Sequence, residues 1–210
     1  FVEQHNELIL KKLKKPIILS DENNLVLYNN SVYQLNLISE NSSSKNIKLK
    51  YKSLFDIINY TSTPFGKRLL KDRLLNPITD INLLNNRYNK IEKLINSELL
   101  DDFEYNLKNI NDLERFNRKV HLNILNPYEL SNYYTSVIFI YNILNNIKLI
   151  FKDDNDKIER YENLINDFKD YCKSQFDIDT MSKYGINNIE ENIFNKNISN
   201  EIDTINDNIK

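Results

Sequence analysis

The clearest helical pattern in the chain lies at residues 53–95, "SLFDIINYTSTPFGKRLLKDRLLNPITDINLLNNRYNKIEKLI". Its apolar residues recur every three or four positions, which is the period of an amphipathic helix. Thr63 predicts a helix N-cap with Pro64 in the first helical position, and Pro77 predicts the end of that helix. Asp80 predicts the N-cap of the next helix. We expect the apolar residues of the first helix, Phe65, Leu69, Leu70 and Leu74, to face inward. The second helix carries a regular apolar stripe, which consists of Ile81, Leu84, Tyr88, Ile91 and Ile95.

Within this stretch, Gly66-Lys67 raises the question of a phosphate-binding loop. Such a loop needs a glycine five positions before this one and a Ser or Thr after the lysine. Thr61 and Arg68 occupy those two positions. Without the first glycine the backbone amides cannot form an anion-binding nest. The pattern therefore favours the first turn of a helix, in which Gly66 allows a neighbouring element to approach closely.

Two long helices are predicted further along the chain. The first starts at Asn126-Pro127, because proline favours the first position of a helix. The second carries an apolar stripe from Ile158 to Phe176, and Cys172 falls on that stripe as a core residue. A shorter apolar stripe at the end of the sequence predicts one more helix. These patterns predict a helical core with long helices.

The N-terminal part of the sequence has a different pattern. Residues 6–15 predict a short amphipathic helix. Residues 24–39 place apolar residues in β-prone surroundings on either side of Asn29-Asn30, which predicts short strands joined by a turn. The predicted fold class is therefore mostly α: a helical core with long lever helices, plus a few short β-strands near the N-terminus.

The bulk composition excludes several classes of protein. The 210 residues carry a net charge of −2, so no overall positive field draws the chain onto nucleic acid. No apolar run is long enough to span a bilayer and no signal peptide is present, which favours an intracellular protein without a membrane partner. The sequence begins with Phe1 instead of Met, and we interpret it as a piece of something longer.

No motif for catalysis, cofactor binding or metal binding stands out. His5 and His121 are the two histidines, and neither has a second ligand at metal-binding spacing. The basic run Lys11, Lys12, Lys14, Lys15 is interpreted as the exposed face of a helix. We expect no catalytic, cofactor-binding or metal site within these 210 residues.

Three short motifs follow one another along the chain. They are "LVLYNNSVYQLNLI" at residues 25–38, the stretch at residues 53–95, and "DLERF" at residues 112–116. In this order and spacing they resemble the helical core, or lever, domain of the MutS family of mismatch-recognition ATPases. The residues that carry the second and third motifs are Thr63, Gly66, Arg68, Pro77, Asp80, Arg87, Asp112, Glu114 and Arg115.

The resemblance implies a division of the chain. Residues 1–50 would form the junction between connector and core, 51–150 the helical core, 151–197 the lever helix region, and 198–210 the truncated start of the clamp. The implied role is to transmit conformational change between the mismatch-binding and clamp domains and an ATPase domain outside this chain. ATP and Mg²⁺ would belong to the parent protein, which would bind double-stranded DNA and form a homo- or heterodimer.

Two details of the resemblance concern individual residues. "FVE", residues 1–3, matches the Phe-x-Glu mismatch wedge of the family, but it lies too close to residues 25–38 for the wedge domain. A phenylalanine that packs at the start of a helix is therefore favoured. In the third motif, Glu114 is the expected partner of Arg68, because a guanidinium on the helix that starts at Pro64 needs a carboxylate.

Two other classes of function stay open from the sequence. One alternative is a helical interaction scaffold unrelated to DNA repair. The other is an enzyme with an unrecognised site. The empty motif search disfavours the enzyme. A basic clamp, a returning lever helix and a phosphate loop beyond Lys210 would favour the transmission module over the scaffold.

Overall fold

The computed structural model describes residues 15, 24–39, 51–151, 155–185 and 187–209. Helices account for most of these residues, and the mostly α fold class is confirmed. Within the described ranges the helices are α1 Asn29–Gln34, α2 Leu54–Ile58, α3 Pro64–Leu75, α4 Ile81–Ile95, α5 Leu100–Lys108, α6 Leu113–His121, α7 Pro127–Ile150, α8 Asn155–Gln175, α9 Ile178–Met181 and α10 Asn200–Ile209.

The helix starts follow the local cap signals. The Thr63 side chain accepts a hydrogen bond from the Gly66 N–H at 3.0 Å, which satisfies an otherwise unpaired amide of the first turn of α3. Asp80 does the same for α4 by accepting from the N–H groups of Asn82 and Leu83. Asn126 precedes α7, where the Glu129 carboxylate accepts from the Asn126 N–H at 3.2 Å. The three predicted starts are confirmed.

The prediction of strands around an Asn29-Asn30 turn is wrong. These two residues begin the helix α1, and the extended pairing within 24–39 is a single bridge from Asn24 to Ile78. The Leu25 N–H donates to the Pro77 carbonyl at 2.8 Å, so the segment pairs with the connection between α3 and α4 instead of with itself. An apolar run this short fits either period, so the pattern alone does not distinguish a strand from a helix. The helix predicted for residues 6–15 lies outside the described residues, apart from position 15.

Helix α7 is the central element of the described fold. It packs against α5, α6, α8 and α9, and polar contacts occur along its whole length. The Ser131 hydroxyl donates to the Ile178 carbonyl at the start of α9. The Asn142 amide donates to the Asn106 side chain of α5 at 3.3 Å. One helix therefore fixes the positions of several others.

Helices α7 and α8 form an antiparallel pair. Near their connection the Lys148 ammonium lies 3.0 Å from the Glu162 carboxylate. Further along, the Lys169 ammonium lies 4.8 Å from the centroid of the Tyr141 ring. Residue numbers decrease along α7, from 148 to 141, while those of their partners on α8 increase from 162 to 169, so the two helices run antiparallel. The most buried residue of α8 is Cys172, with 1% of its surface exposed, and the prediction that it is a core residue is confirmed.

The core lies around α7 and the faces turned toward it. Phe103 and Ile110 reach it from α5 and the following loop, and Ile158 and Cys172 reach it from α8. Met181, the last residue of α9, is also buried. The remaining buried apolar residues in the described ranges are Leu37, Phe55, Tyr134, Val137 and Ile193.

Leu69 of α3 is 50% exposed, so the prediction that it faces inward is wrong. The apolar stripe of α4 is exposed as well. Ile81, Tyr88 and Ile95 are 70%, 60% and 62% exposed, and the described part of the chain buries no residue of this helix. The helical period of the stripe is as predicted. Periodicity identifies the apolar face of a helix but does not identify the element that covers it, so the burial had to be read from the structure.

Candidate functional site: the Arg68 junction

Arg68 connects α3 to the start of α6. Its two terminal nitrogens donate to the two carboxylate oxygens of Asp112 at 2.9 and 3.2 Å, which is the paired geometry that suits a guanidinium. The same guanidinium lies 2.6 Å from the Glu114 carboxylate. The predicted pairing of Arg68 with Glu114 is therefore confirmed. We refer to Arg68, Asp112 and Glu114 as the Arg68 junction.

Two local features place the carboxylates of the junction. Asp112 is the N-cap of α6 and accepts a hydrogen bond from the Arg115 N–H. Glu114 lies in the first turn of the same helix. Carboxylates are favoured there because the unpaired amides of a helix N-terminus carry partial positive charge. The cap thus fixes the Asp112 side chain where Arg68 can reach it.

The electrostatics of the junction favour the charged forms. The hydrogen bonds from Arg68 hold the pKa of Asp112 below its ordinary value, against the opposing effect of burial, and the Arg115 N–H acts in the same direction as Arg68. The Asp112 carboxylate in turn raises the pKa of Arg68, with Glu114 adding to the effect. The Arg68 side chain is 47% exposed, so solvent screens this pairing.

Sequence reasoning missed Asp112 as the main partner of Arg68. The motif "DLERF" contains Asp112, but the sequence predicts Glu114 as the partner. The signal that identifies Asp112 is its place just before the apolar positions of α6, which is that of an N-cap. A capping carboxylate has a fixed position, whereas Glu114 is 67% exposed on a longer side chain.

The expected role of Gly66 is corrected by the structure. A neighbouring element was predicted to approach it closely. Among the described residues, the nearest atom to a Cβ built on Gly66 is instead the Thr63 hydroxyl oxygen, at 2.7 Å, followed by Thr61 at 3.7 Å. A side chain at position 66 would therefore collide with the cap of its own helix. The glycine is needed by the cap and not by a packing partner.

The other motif residues lie in separate places. The Pro77 carbonyl accepts from Leu25, as described above. Arg87 is half-buried on α4, and within the described ranges no carboxylate pairs with it. Arg115 lines an open cleft of about 370 Å³ between α6 and α7. The structure therefore brings Arg68, Asp112 and Glu114 together, and it does not bring Arg87 to them.

The cleft beside Arg115 contains a second connection between α6 and α7. Lys119 of α6 forms an ion pair with Glu129 of α7. Phe116 stacks on Tyr133, with ring centroids 3.8 Å apart and the planes 13° apart. Burial opposes the charged form of Glu129, but Lys119 and the Asn126 N–H together lower its pKa. Paired ions and stacked rings of this kind hold two helices in a fixed relation.

Across the residues that the structure describes, no three His, Cys, Asp or Glu side chains are grouped so that they could bind a metal ion. No described helix has the length and apolar character needed to cross a bilayer.

Comparison with known proteins identifies the class. A helical domain with these motifs matches the family model described as MutS domain III, over residues 30–209. The chain belongs to the MutS family, and it corresponds to domain III of these DNA mismatch repair proteins. This membership supports the hypothesis of a mismatch-repair module over that of an unrelated helical scaffold.

Three relatives show how the similarity is distributed. A putative DNA mismatch repair MutS homologue of Acanthamoeba polyphaga mimivirus is 36% identical over 100% of this chain. A mitochondrial DNA mismatch repair MutS homologue of Sarcophyton glaucum is 35% identical over 81% of it. MutS of Thermotoga neapolitana is 36% identical over 56% of it. The chain spans 19% of the length of the first two and 14% of the third, about a fifth or less of each.

Proposed function

We propose that the chain is a transmission module that works within a longer mismatch-repair polypeptide and has no catalytic activity of its own. The observation that carries this proposal is the central position of α7. It is a helix of 24 residues, about 36 Å long at 1.5 Å per residue, and it packs against four other helices. Displacement at one end of such a helix is passed to all the elements fixed to it.

The contacts of the α7–α8 pair support this role. Coupling between distant sites needs elements whose relative positions are fixed by packing and polar contacts. The Lys148–Glu162 ion pair and the Lys169–Tyr141 contact connect the two helices at two separate points. Tyr133 and Phe168 meet edge-to-face between them, with ring centroids 5.5 Å apart. These contacts stiffen the two helices against bending and sliding.

The proposal extends to the parent polypeptide. Its relatives are named as DNA mismatch repair proteins, and we propose that the parent is an intracellular ATPase that binds double-stranded DNA. ATP and Mg²⁺ would bind in a domain outside these residues, and the parent would act as a homo- or heterodimer. The connector junction would comprise residues 1–50 and the core residues 51–150. The lever region would comprise residues 151–197, and the clamp would start at residues 198–210.

A variant of the full-length parent in which α8 is a less stable helix, but keeps its contacts, tests this proposal. Asn163 and Asp167 lie on the exposed face of α8, and changing both to Gly lowers helix stability by roughly 0.3 kcal/mol each. The readout is the ratio of ATP turnover with mismatched DNA to turnover without DNA. We expect this ratio to fall toward one, while turnover without DNA and the affinity for DNA stay unchanged.

A matched control separates softening of α8 from a general loss of stability. Asn86→Gly with Lys90→Gly places the same i, i+4 pair of glycines on an exposed face of α4. This variant should keep the stimulation of ATP turnover by mismatched DNA. Equal stimulation in the wild type and in the α8 variant, with both proteins folded, would contradict the transmission role.

A further inference from the structure

Ser136 is a fully buried hydroxyl in the middle of α7, with 0% of its surface exposed. A buried hydroxyl is costly unless it is hydrogen-bonded, and this one is saturated. It donates to the Asn132 carbonyl at 2.9 Å and accepts from the backbone N–H of Asn111 at 3.1 Å. It also accepts from the Asn111 side-chain amide at 3.2 Å. The hydroxyl thus fixes one residue of the loop between α5 and α6 in two ways.

Asn111 is the residue immediately before Asp112. Its N–H belongs to the peptide between Ile110 and Asn111, and its side-chain amide is held by the same hydroxyl, so the residue that leads into the N-cap of α6 is fixed at both groups. On the other side, Ile110 is only 5% exposed and anchors the loop in the core. The carboxylate of Asp112 emerges from this pinned loop and receives the two hydrogen bonds of Arg68. A continuous series of polar contacts therefore runs from α7 through the start of α6 to α3.

We propose that Ser136 and Asn111 are positioning residues that hold Asp112 in place for Arg68, so that α7, α6 and α3 move together through this joint. This inference rests on the proposed function, because it names the point at which movement of α7 passes to α3. Residues 68, 111, 112 and 136 act as one unit in it. A loosening at one end of the unit is felt at the other end, because coupling between sites is reciprocal.

Hydrogen exchange of the Asn111 amide, measured by NMR on this chain, tests the joint. The amide donates to Ser136 and has no contact with Arg68. Arg68→Gln should nevertheless speed its exchange by about threefold, the size expected for loss of an exposed ion pair. Lys148→Gln is the matched control: Lys148 is 44% exposed against 47% for Arg68, and its partner lies on α8. This control should leave the Asn111 amide unchanged.

The other end of the joint is tested with Ser136→Ala. Loss of the direct hydrogen bond should speed exchange of the Asn111 amide by about tenfold. Exchange of the Arg115 amide, which donates a hydrogen bond to the Asp112 carboxylate, should also become faster. If Ser136→Ala does not fold, Arg68→Gln decides alone. An Asn111 amide that exchanges at the wild-type rate in folded Arg68→Gln would overturn the joint. The exchange rates report on the joint whatever the result of the ATP turnover assay, so the two proposals fail separately.

Discussion

Arg68 of α3 and Asp112 at the start of α6 meet through two parallel hydrogen bonds of 2.9 and 3.2 Å, although 44 residues separate them in the sequence. The contact makes one carboxylate serve two purposes, since Asp112 also caps α6. The start of one helix is thereby tied to the side of another.

Acid should remove the stabilisation that the Arg68–Asp112 pair provides. Because the folded-state pKa of Asp112 is lowered, mainly by Arg68, the stabilisation is present above the ordinary pKa of an aspartate. It is lost as the pH falls through the lowered value. The melting temperature of the wild type should exceed that of Asp112→Asn by about 1–3 °C at pH 7, the scale of a screened surface pair, and the gap should close in acid.

Arg68→Gln provides the control for this pH dependence. In that background the guanidinium is already missing, so Asp112→Asn should produce a smaller gap at pH 7. Asparagine caps a helix as well as aspartate does, so a gap of the same size in both backgrounds would show that the effect arises from the negative charge at the start of α6 and not from Arg68.

Gly66→Val should destabilise the chain by about 1–3 kcal/mol, because the added atoms collide with the capping hydroxyl of Thr63. Gly66→Ala is more informative, since the gain in helix propensity and the loss of the cap are each about 1 kcal/mol and oppose each other. With Thr63→Ala in the background the collision is gone, and Gly66→Ala should become clearly stabilising. Chemical denaturation measures the free energy of unfolding of the wild type and of each of these variants.

A change at the next position serves as the reference for this series. Lys67 is exposed, and Lys67→Ala should alter the free energy of unfolding by less than roughly 0.5 kcal/mol. If Gly66→Ala has the same effect with and without Thr63, the cap does not explain why the position is a glycine.

The exposed stripe of α4 predicts an unusual tolerance. Ile95→Gln should change the free energy of unfolding of this chain by under about 0.5 kcal/mol, because 62% of the side chain is already exposed. Phe103→Ala, at a position that is 7% exposed, should cost about 3–5 kcal/mol. A large loss at Ile95 would mean that the stripe is covered within this chain.

The isolated chain should not hydrolyse ATP. Thr61 and Arg68 occupy the two positions where a phosphate loop needs glycine and a Mg²⁺-binding hydroxyl. Steady-state turnover by carefully purified protein checks this prediction. Saturable hydrolysis that disappears in Lys67→Ala would refute it.

Local signals account for what the sequence predicted well. Thr63, Asp80 and Asn126 start helices because their side chains or those three residues later satisfy nearby amides, and such contacts need only neighbouring residues. The same locality explains the wrong prediction at Asn29-Asn30. There the segment pairs with the distant Pro77 through Leu25, and its end accepts hydrogen bonds from Leu54 and Phe55, contacts that no local pattern reveals.

The joint is the part that the sequence could not predict. Ser136 and Asn111 are 25 positions apart, and nothing in the spacing of either residue distinguishes it from other serines and asparagines. Only packing of α7 against the loop between α5 and α6 brings them together. Arg68 and Glu114 were predicted as a pair from the motifs, but the geometry shows that Asp112 receives the two parallel hydrogen bonds.

From these contacts we expect α3, α6, α7 and α8 to move as one body within the parent polypeptide. Spin labels on Lys71→Cys in α3 and Asn163→Cys in α8 test it directly by pulsed electron resonance, since both positions are exposed. Cys172 is 1% exposed and burial raises the pKa of its thiol, so it should not compete for label. We predict one narrow distance distribution that shifts by less than about 2 Å when ATP and mismatched DNA are added, because packed cores do not deform continuously. A broad distribution, or a larger shift on adding either ligand, would show that the four helices do not move as one body.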